Sequence, residues 1–196
     1  MRLYEKHPDR ITVYGTEYRL TLYFDRVIRY IDLLSEAPED AAEVGYSWLV
    51  SSPKNAPHAV KALVLDRIMS DIIYPQKRQL KRRKKNVRAV DFTIDAAEIY
   101  ASFMRDYRID LIKEQGRLHW CSFLALFQGL SEDTPIRQIM RIRTEQIPPL
   151  TRSNGDHIQR LNELKALYAL PETPTEQEQA DGWSDLFDMM VARAGG

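Results

Sequence analysis

The chain has 196 residues, 44% of them hydrophobic and 29% charged, which is typical of a soluble globular protein and excludes a disordered chain. Its 28 basic and 28 acidic residues cancel, so it is not a uniformly basic nucleic-acid coat protein. A single cysteine excludes an internal disulfide. Charges interrupt every apolar stretch, and residues 1–15 contain no apolar signal core. We therefore expect a cytoplasmic protein without a membrane span.

The first half of the sequence predicts a β-hairpin followed by three helices. Residues 11–14 and 17–20 are β-branched and aromatic, and Gly15-Thr16 between them predicts the turn. A helical period starts at Asp25, which we expect to cap the first helix. The second and third helices are predicted over 41–52 and 58–73, and Pro75 ends the third.

The second half predicts helices over 95–107, 117–130, 134–145 and 154–169. Thr134 and Pro135 have the residue types expected at the N-cap and first position of a helix. The 117–130 segment is apolar almost all round, so we expect it to be the central buried helix. Its predicted core residues are Leu118, His119, Trp120, Phe123, Leu124 and Phe127. The predicted fold is mainly α, a compact bundle of about six helices with a small N-terminal β-hairpin.

We predict one helical domain over 1–170 and an appendage over 171–196, in which a polar acidic linker precedes a short amphipathic helix at 183–194. The charges are unevenly distributed, because 171–188 holds six acidic residues and no basic one. A basic loop at 77–88 carries the opposite sign. Its basic residues are Lys77, Arg78, Lys81, Arg82, Arg83, Lys84, Lys85 and Arg88.

The sequence offers few residues suited to catalysis. None of the four histidines has a second ligand three or four residues away, and no phosphate-binding glycine loop or hydrolase motif is present. His119 is interpreted as a hydrogen-bonded core residue and Cys121 as a small core residue, not as a nucleophile with its base. We therefore predict a protein that is not an enzyme, with no catalytic residue, no metal and no cofactor.

Two segments are candidate binding surfaces. The basic loop has enough charge to contact several phosphates, but it has no interleaved aromatic residue, so a solvated loop or a contact for an acidic protein is favoured over nucleic acid. The C-terminal helix groups four large apolar residues on one face, and it either docks into a partner's groove or folds back on its own core. These residues are Trp183, Leu186, Phe187 and Met190.

Three motifs between residues 91 and 143 carry a family resemblance. They are DF-x-x-D-A-x-x-IYASF-x-x-x-Y-x-IDL, then LHW-x-x-F-x-AL-x-x-GL-x-EDT, then I-x-x-IM-x-x-R. The sequence resembles the small helical proteins of tailed phages and prophages that are encoded between the major tail protein and the tape-measure protein. Two positions depart from the family pattern, which favours glycine at Arg108 and a second bulky aromatic residue at Cys121.

The resemblance implies a tail assembly chaperone that binds the tape-measure protein, with the tail-tube protein as a second candidate partner. It implies no catalytic residue. It places the protein in the cytoplasm of the infected or lysogenic host and makes it absent from, or minor in, the mature virion. Self-association and a frameshift fusion partner are left open. The alternative function is a nucleic-acid-binding phage accessory protein that acts through 77–88.

Overall fold

The structure, a computed structural model, describes residues 5–74 and 88–171. Over these residues it has seven α-helices and a three-stranded antiparallel sheet and is 53% helical, which confirms the mainly α prediction. The described residues form two compact units, one of 5–74 with 111–127 and one of 88–110 with 128–171. The helices are α1 (Phe24–Glu36), α2 (Ala41–Leu49), α3 (His58–Ile68, followed by a π-helical turn at Met69–Ile73), α4 (Ala96–Tyr107), α5 (Trp120–Gln128), α6 (Pro135–Thr144) and α7 (Gly155–Leu167).

The sheet of the first unit contains the predicted hairpin and one further strand. Strands β1 (Arg10–Val13) and β2 (Thr16–Leu20) are joined by a turn at Tyr14 and Gly15, whose φ angles are 49° and 77°. Two successive positive φ angles define the turn that matches the twist of a two-residue hairpin. The turn therefore lies one residue before the predicted Gly15-Thr16 position.

The third strand was not predicted. We expected a helix over 41–52, but α2 ends at Leu49 and Val50–Ser52 forms β3, which pairs antiparallel with β2. A three-residue strand has no periodicity of its own, and its pairing with residues 30 positions earlier is a long-range contact. The helix–strand boundary was therefore invisible to local pattern analysis.

An extended pairing determines where α1 and α5 begin. Trp120 donates its backbone N–H to the Leu22 carbonyl at 2.8 Å, and Phe24 donates to the Leu118 carbonyl at 3.0 Å. Because this pairing keeps residue 119 extended, α5 starts only at Trp120, three residues later than expected. Asp25 is not the cap of α1, since the helix begins at Phe24; its carboxylate instead accepts the Gly116 N–H at 2.9 Å.

The second unit packs α4 against α6 and α6 against α7. Thr134 is the N-cap of α6 and Pro135 its first residue, as predicted. The Thr134 hydroxyl donates to the Ser131 carbonyl, however, and the Ile136 N–H in the first turn is satisfied by the Ser102 hydroxyl of α4 at 3.2 Å. The buried apolar residues of these helices are Ile99, Phe103, Ile136, Ile139, Met140 and Leu161.

Helix α4 ends in a left-handed residue. Arg108 has φ 58° and ψ 25°, its N–H donates to the Met104 carbonyl at 3.2 Å, and the Ile109 N–H donates to the Phe103 carbonyl at 3.4 Å. The Arg108 bond is that of the αL C-cap motif, in which glycine is usual at the left-handed position. The chain therefore keeps the turn that the family pattern favours and places a strained arginine in it.

We expect Arg108→Gly to raise the free energy of unfolding by about 1 kcal/mol, because glycine removes the Cβ clash of the left-handed conformation. Arg108→Ala is the matched control, since alanine loses the guanidinium but keeps the Cβ. Urea denaturation of the three proteins measures the difference. Equal stability of the glycine and alanine variants would contradict the strain at this position.

Candidate functional site

Most of the predicted binding residues lie outside the described part of the chain. The exception is Arg88, whose guanidinium forms an ion pair with the Asp91 carboxylate three residues later. The residues outside the described ranges are Lys77, Arg78, Lys81, Arg82, Arg83, Lys84 and Lys85 of the predicted basic loop and Trp183, Leu186, Phe187 and Met190 of the predicted C-terminal helix.

Helix α5 contributes one aromatic stripe to the core of the first unit. Trp120, Phe123 and Phe127 are fully buried. The Phe123 ring lies 5.6 Å from that of Trp120 and 5.0 Å from that of Phe24. The other predicted core residues of this segment, Leu118, His119 and Leu124, are only half-buried. Helix α5 therefore buries one face and leaves the other partly exposed. The 117–130 segment is thus not buried on all sides, contrary to the expectation from its composition.

The second unit contains a buried ion pair between two of the motifs found in the sequence. Arg143 and Asp95 are both almost inaccessible, with 6% and 4% of their side chains exposed. The two guanidinium Nη atoms donate to the two Asp95 carboxylate oxygens at 2.6 and 2.8 Å. Such a fork-to-fork geometry is the strongest arrangement that arginine and a carboxylate form.

The remaining donors of Arg143 bind backbone carbonyls. Nη1 also donates to the Ala89 carbonyl at 3.0 Å, and Nε donates to the Tyr168 carbonyl at 2.6 Å. In addition, Lys165 Nζ donates a hydrogen bond to the Arg143 carbonyl at 2.8 Å. One side chain thus joins the segment before α4, the start of α4, α6 and the end of α7. We interpret Asp95 and Arg143 as structural residues.

Helix α7 presents leucines to solvent. The helical spacing over 154–169 predicts that Ile158, Leu161, Leu164, Leu167 and Tyr168 face inward. Of these residues only Leu161 is buried, while Leu164 and Leu167 are 39% and 72% exposed. They lie three residues apart and so share a helix face. The preceding connection exposes Ile147 at 51% and Leu150 at 77%. We call these four exposed residues the α6–α7 apolar set, which is the largest group of exposed apolar side chains on any one described segment.

A second cluster, in the first unit, contains two histidines and the cysteine. The His7 and His119 rings are stacked, with centroids 4.6 Å apart and planes 9° apart. His7 Nε2 lies 2.7 Å from Ser122 Oγ, and the Cys121 N–H donates to His119 Nδ1 at 3.1 Å. His7, His119 and Cys121 each place one potential metal-binding atom within 4.8 Å of the other two.

Burial and the neighbouring His7 lower the pKa of His119 to about 4, and these effects outweigh the Pro8 carbonyl and Asp9, which favour the charged form. Burial raises the pKa of the Cys121 thiol. His119 is therefore neutral and Cys121 protonated near neutral pH, so the pair lacks the thiolate that a nucleophilic cysteine requires.

Sequence reasoning missed this cluster for two reasons. It searched for metal ligands three or four residues apart on a helix, whereas His119 precedes α5 in an extended conformation and Cys121 lies in its first turn. This geometry lets the side chains of His119 and Cys121 approach the same point. His7 lies more than a hundred residues away, and no local pattern signals its approach.

Among the described residues, no helix combines the length and the apolarity that crossing a membrane requires. Residues 3–170 match a family of bacteriophage proteins, which confirms the phage resemblance at that level. The chain belongs to the family described as Bacteriophage Gp15 protein. No curated protein and no solved structure matches the chain significantly.

We expect Asp95→Asn to lower the free energy of unfolding by about 3–5 kcal/mol, because it leaves the buried Arg143 charge without its counter-charge. Asp133→Asn is the matched control, since it breaks the exposed ion pair with Arg105 and should cost less than about 1 kcal/mol. Chemical denaturation measures both. Similar losses in the two variants would mean that the buried pair has no special role.

Proposed function

We propose that this protein is a tail assembly chaperone-like factor that binds the tape-measure protein during tail morphogenesis and catalyses no reaction. The observation that carries the proposal is the exposure of the α6–α7 apolar set on a member of a bacteriophage protein family. The motif resemblance to proteins encoded beside the tape-measure gene supports the choice of partner.

The mechanism is reversible capture of an apolar helical surface. Leu164 and Leu167 would lie against the apolar face of a tape-measure helix, with Ile147 and Leu150 adding contacts from the connection before α7. Each buried aliphatic side chain contributes about 1.5–3 kcal/mol before the cost of association is subtracted. Four such residues therefore give modest affinity, which suits a partner that must later be released to the tail tube.

The way in which α7 is held in place supports this role. Its C-terminal end is held by two polar bonds, from Arg143 to the Tyr168 carbonyl and from Lys165 to the Arg143 carbonyl. Because these bonds hold the helix, its leucines need not be buried for it to stay in place. The arrangement keeps an apolar face available without detaching the helix that carries it.

The C-terminal residues are proposed as a second contact. Trp183, Leu186, Phe187 and Met190 follow the acidic linker in the sequence, and their spacing predicts one apolar face of a helix. In this proposal the protein acts in the cytoplasm of the host, contacts the tail-tube protein during polymerisation and is absent from, or minor in, the finished virion. Membranes are not proposed as partners.

The alternative, nucleic-acid binding through 77–88, has the eight basic residues of that run in its favour. Arg88 is already engaged by Asp91. A salt-dependent mobility shift of DNA or RNA that is lost when Lys81–Lys85 are replaced by serine would favour this alternative over the chaperone function.

The proposal is tested by co-purification with helical fragments of a tape-measure protein from the same phage genome. We expect the wild-type chain to capture such a fragment and the double variant Leu150→Ser, Leu167→Ser to lose at least about tenfold in affinity, because two apolar contacts are removed. Trp183→Ser with Phe187→Ser tests the C-terminal contact in the same assay.

Tyr14→Ser is the matched control, since Tyr14 is 88% exposed but lies at the hairpin turn of the other unit. It should capture the fragment as the wild type does. Absence of binding by the wild-type chain would overturn the proposed function. Undiminished binding by the leucine variant would remove the α6–α7 apolar set from it.

A further inference from the structure

We propose that His7, His119 and Cys121 form a binding site for a transition-metal ion, with Zn²⁺ as the favoured ion. All three residues lie in the first unit and are half-buried. Two imidazoles and one thiolate are the donor set that Zn²⁺ prefers, and three protein ligands leave a fourth position for water. This inference is independent of the proposed function.

The distances require a small closure of the cluster. Around a tetrahedral ion with bonds of about 2.0 Å to nitrogen and 2.3 Å to sulfur, the donor atoms lie about 3.3–3.6 Å apart. The three potential ligand atoms here lie within 4.8 Å of one another, so the most widely separated pair must approach by up to about 1.5 Å. His7 belongs to the irregular segment before β1, which can supply this movement more readily than the helix can.

The hydrogen bonds around His7 already favour one ring nitrogen for the ion. A tautomer protonated on Nε2 donates to Ser122 Oγ at 2.7 Å and leaves the Nδ1 lone pair free. Ligating histidines usually donate their other N–H to a neighbouring oxygen in this way, which fixes the ring and makes it a better ligand. The stack on His119 must open by rotation of a ring about its Cβ–Cγ bond, a torsion with a broad energy well.

His119 offers the second nitrogen at a modest cost. Its Nε2 is buried and makes no hydrogen bond of good geometry with the described residues, although the Pro8 carbonyl lies close to the ring, while its Nδ1 accepts the Cys121 N–H. An ion at either ring nitrogen displaces this hydrogen bond, because it either occupies Nδ1 or moves the ring proton there. Losing one hydrogen bond is a small cost beside the affinity of Zn²⁺ for nitrogen and thiolate ligands.

The Cys121 thiol gives up its proton to solvent when the metal–sulfur bond forms. Binding would join the segment that contains His7 to α5 and so stabilise the first unit.

The test uses the full-length chain without an affinity tag, purified with a chelator and kept reduced. Calorimetric titration should find one Zn²⁺ per chain, and Co²⁺ should give the charge-transfer absorption of a cobalt–thiolate bond. Zn²⁺ should also raise the melting temperature of the wild-type protein, because only the folded chain brings the three ligands together.

His7→Gln and Cys121→Ser should each weaken Zn²⁺ binding by more than about tenfold, and Cys121→Ser should abolish the cobalt–thiolate band. His157→Gln is the matched control, since His157 is exposed on α7, and it should bind as the wild type does. Melting in the presence of the chelator shows that each variant is folded. The proposal is overturned if wild-type binding is absent, or if it survives unchanged in the folded His7→Gln and Cys121→Ser variants.

Discussion

The second unit depends on one buried guanidinium. Arg143 is paired with Asp95 through two bonds and also binds the carbonyls of Ala89 and Tyr168. Neither charge could stay buried without the other, because an isolated ion is far more costly inside a protein than in water. The segment before α4, the start of α4, α6 and the end of α7 must therefore keep the positions that satisfy this one side chain. Asp95 and Arg143 belong to separate motifs of the sequence, and their ion pair gives a residue of each motif a structural role.

This way of holding α7 has a functional consequence. A helix fixed by apolar burial must turn its leucines inward, whereas α7 is fixed at its end by Arg143 and Lys165 and buries only Leu161. The exposed Leu164 and Leu167 are then available to a partner. The proposed chaperone role needs both properties together, since a factor that captures apolar helices must expose apolar surface and still stay folded. The structure of the second unit is thus consistent with binding to a partner through apolar packing.

The sequence predicted what local periodicity encodes and missed what distant residues decide. Helical spacing located the seven α-helices of residues 5–74 and 88–171, and the β-branched run before Gly15 located the hairpin. The strand at Val50–Ser52 and the extended residue before Trp120 depend on pairing with β2 and with residues 22–24, so no local pattern indicated them. The Asp95–Arg143 pair and the approach of His7 to His119 are long-range for the same reason. The motifs identified a phage family, but they could not indicate which leucines of α7 are exposed.

Hydrogen exchange of the full-length chain, with and without a helical tape-measure fragment, tests the central claim most directly, because it locates the bound surface without any substitution. We expect the fragment to slow exchange of backbone amides over residues 147–168, where the exposed apolar side chains and the bonds from Arg143 and Lys165 occur together. Amides of the hairpin around Tyr14 should exchange at an unchanged rate. Saturating fragment that leaves exchange over 147–168 unaltered would contradict the account.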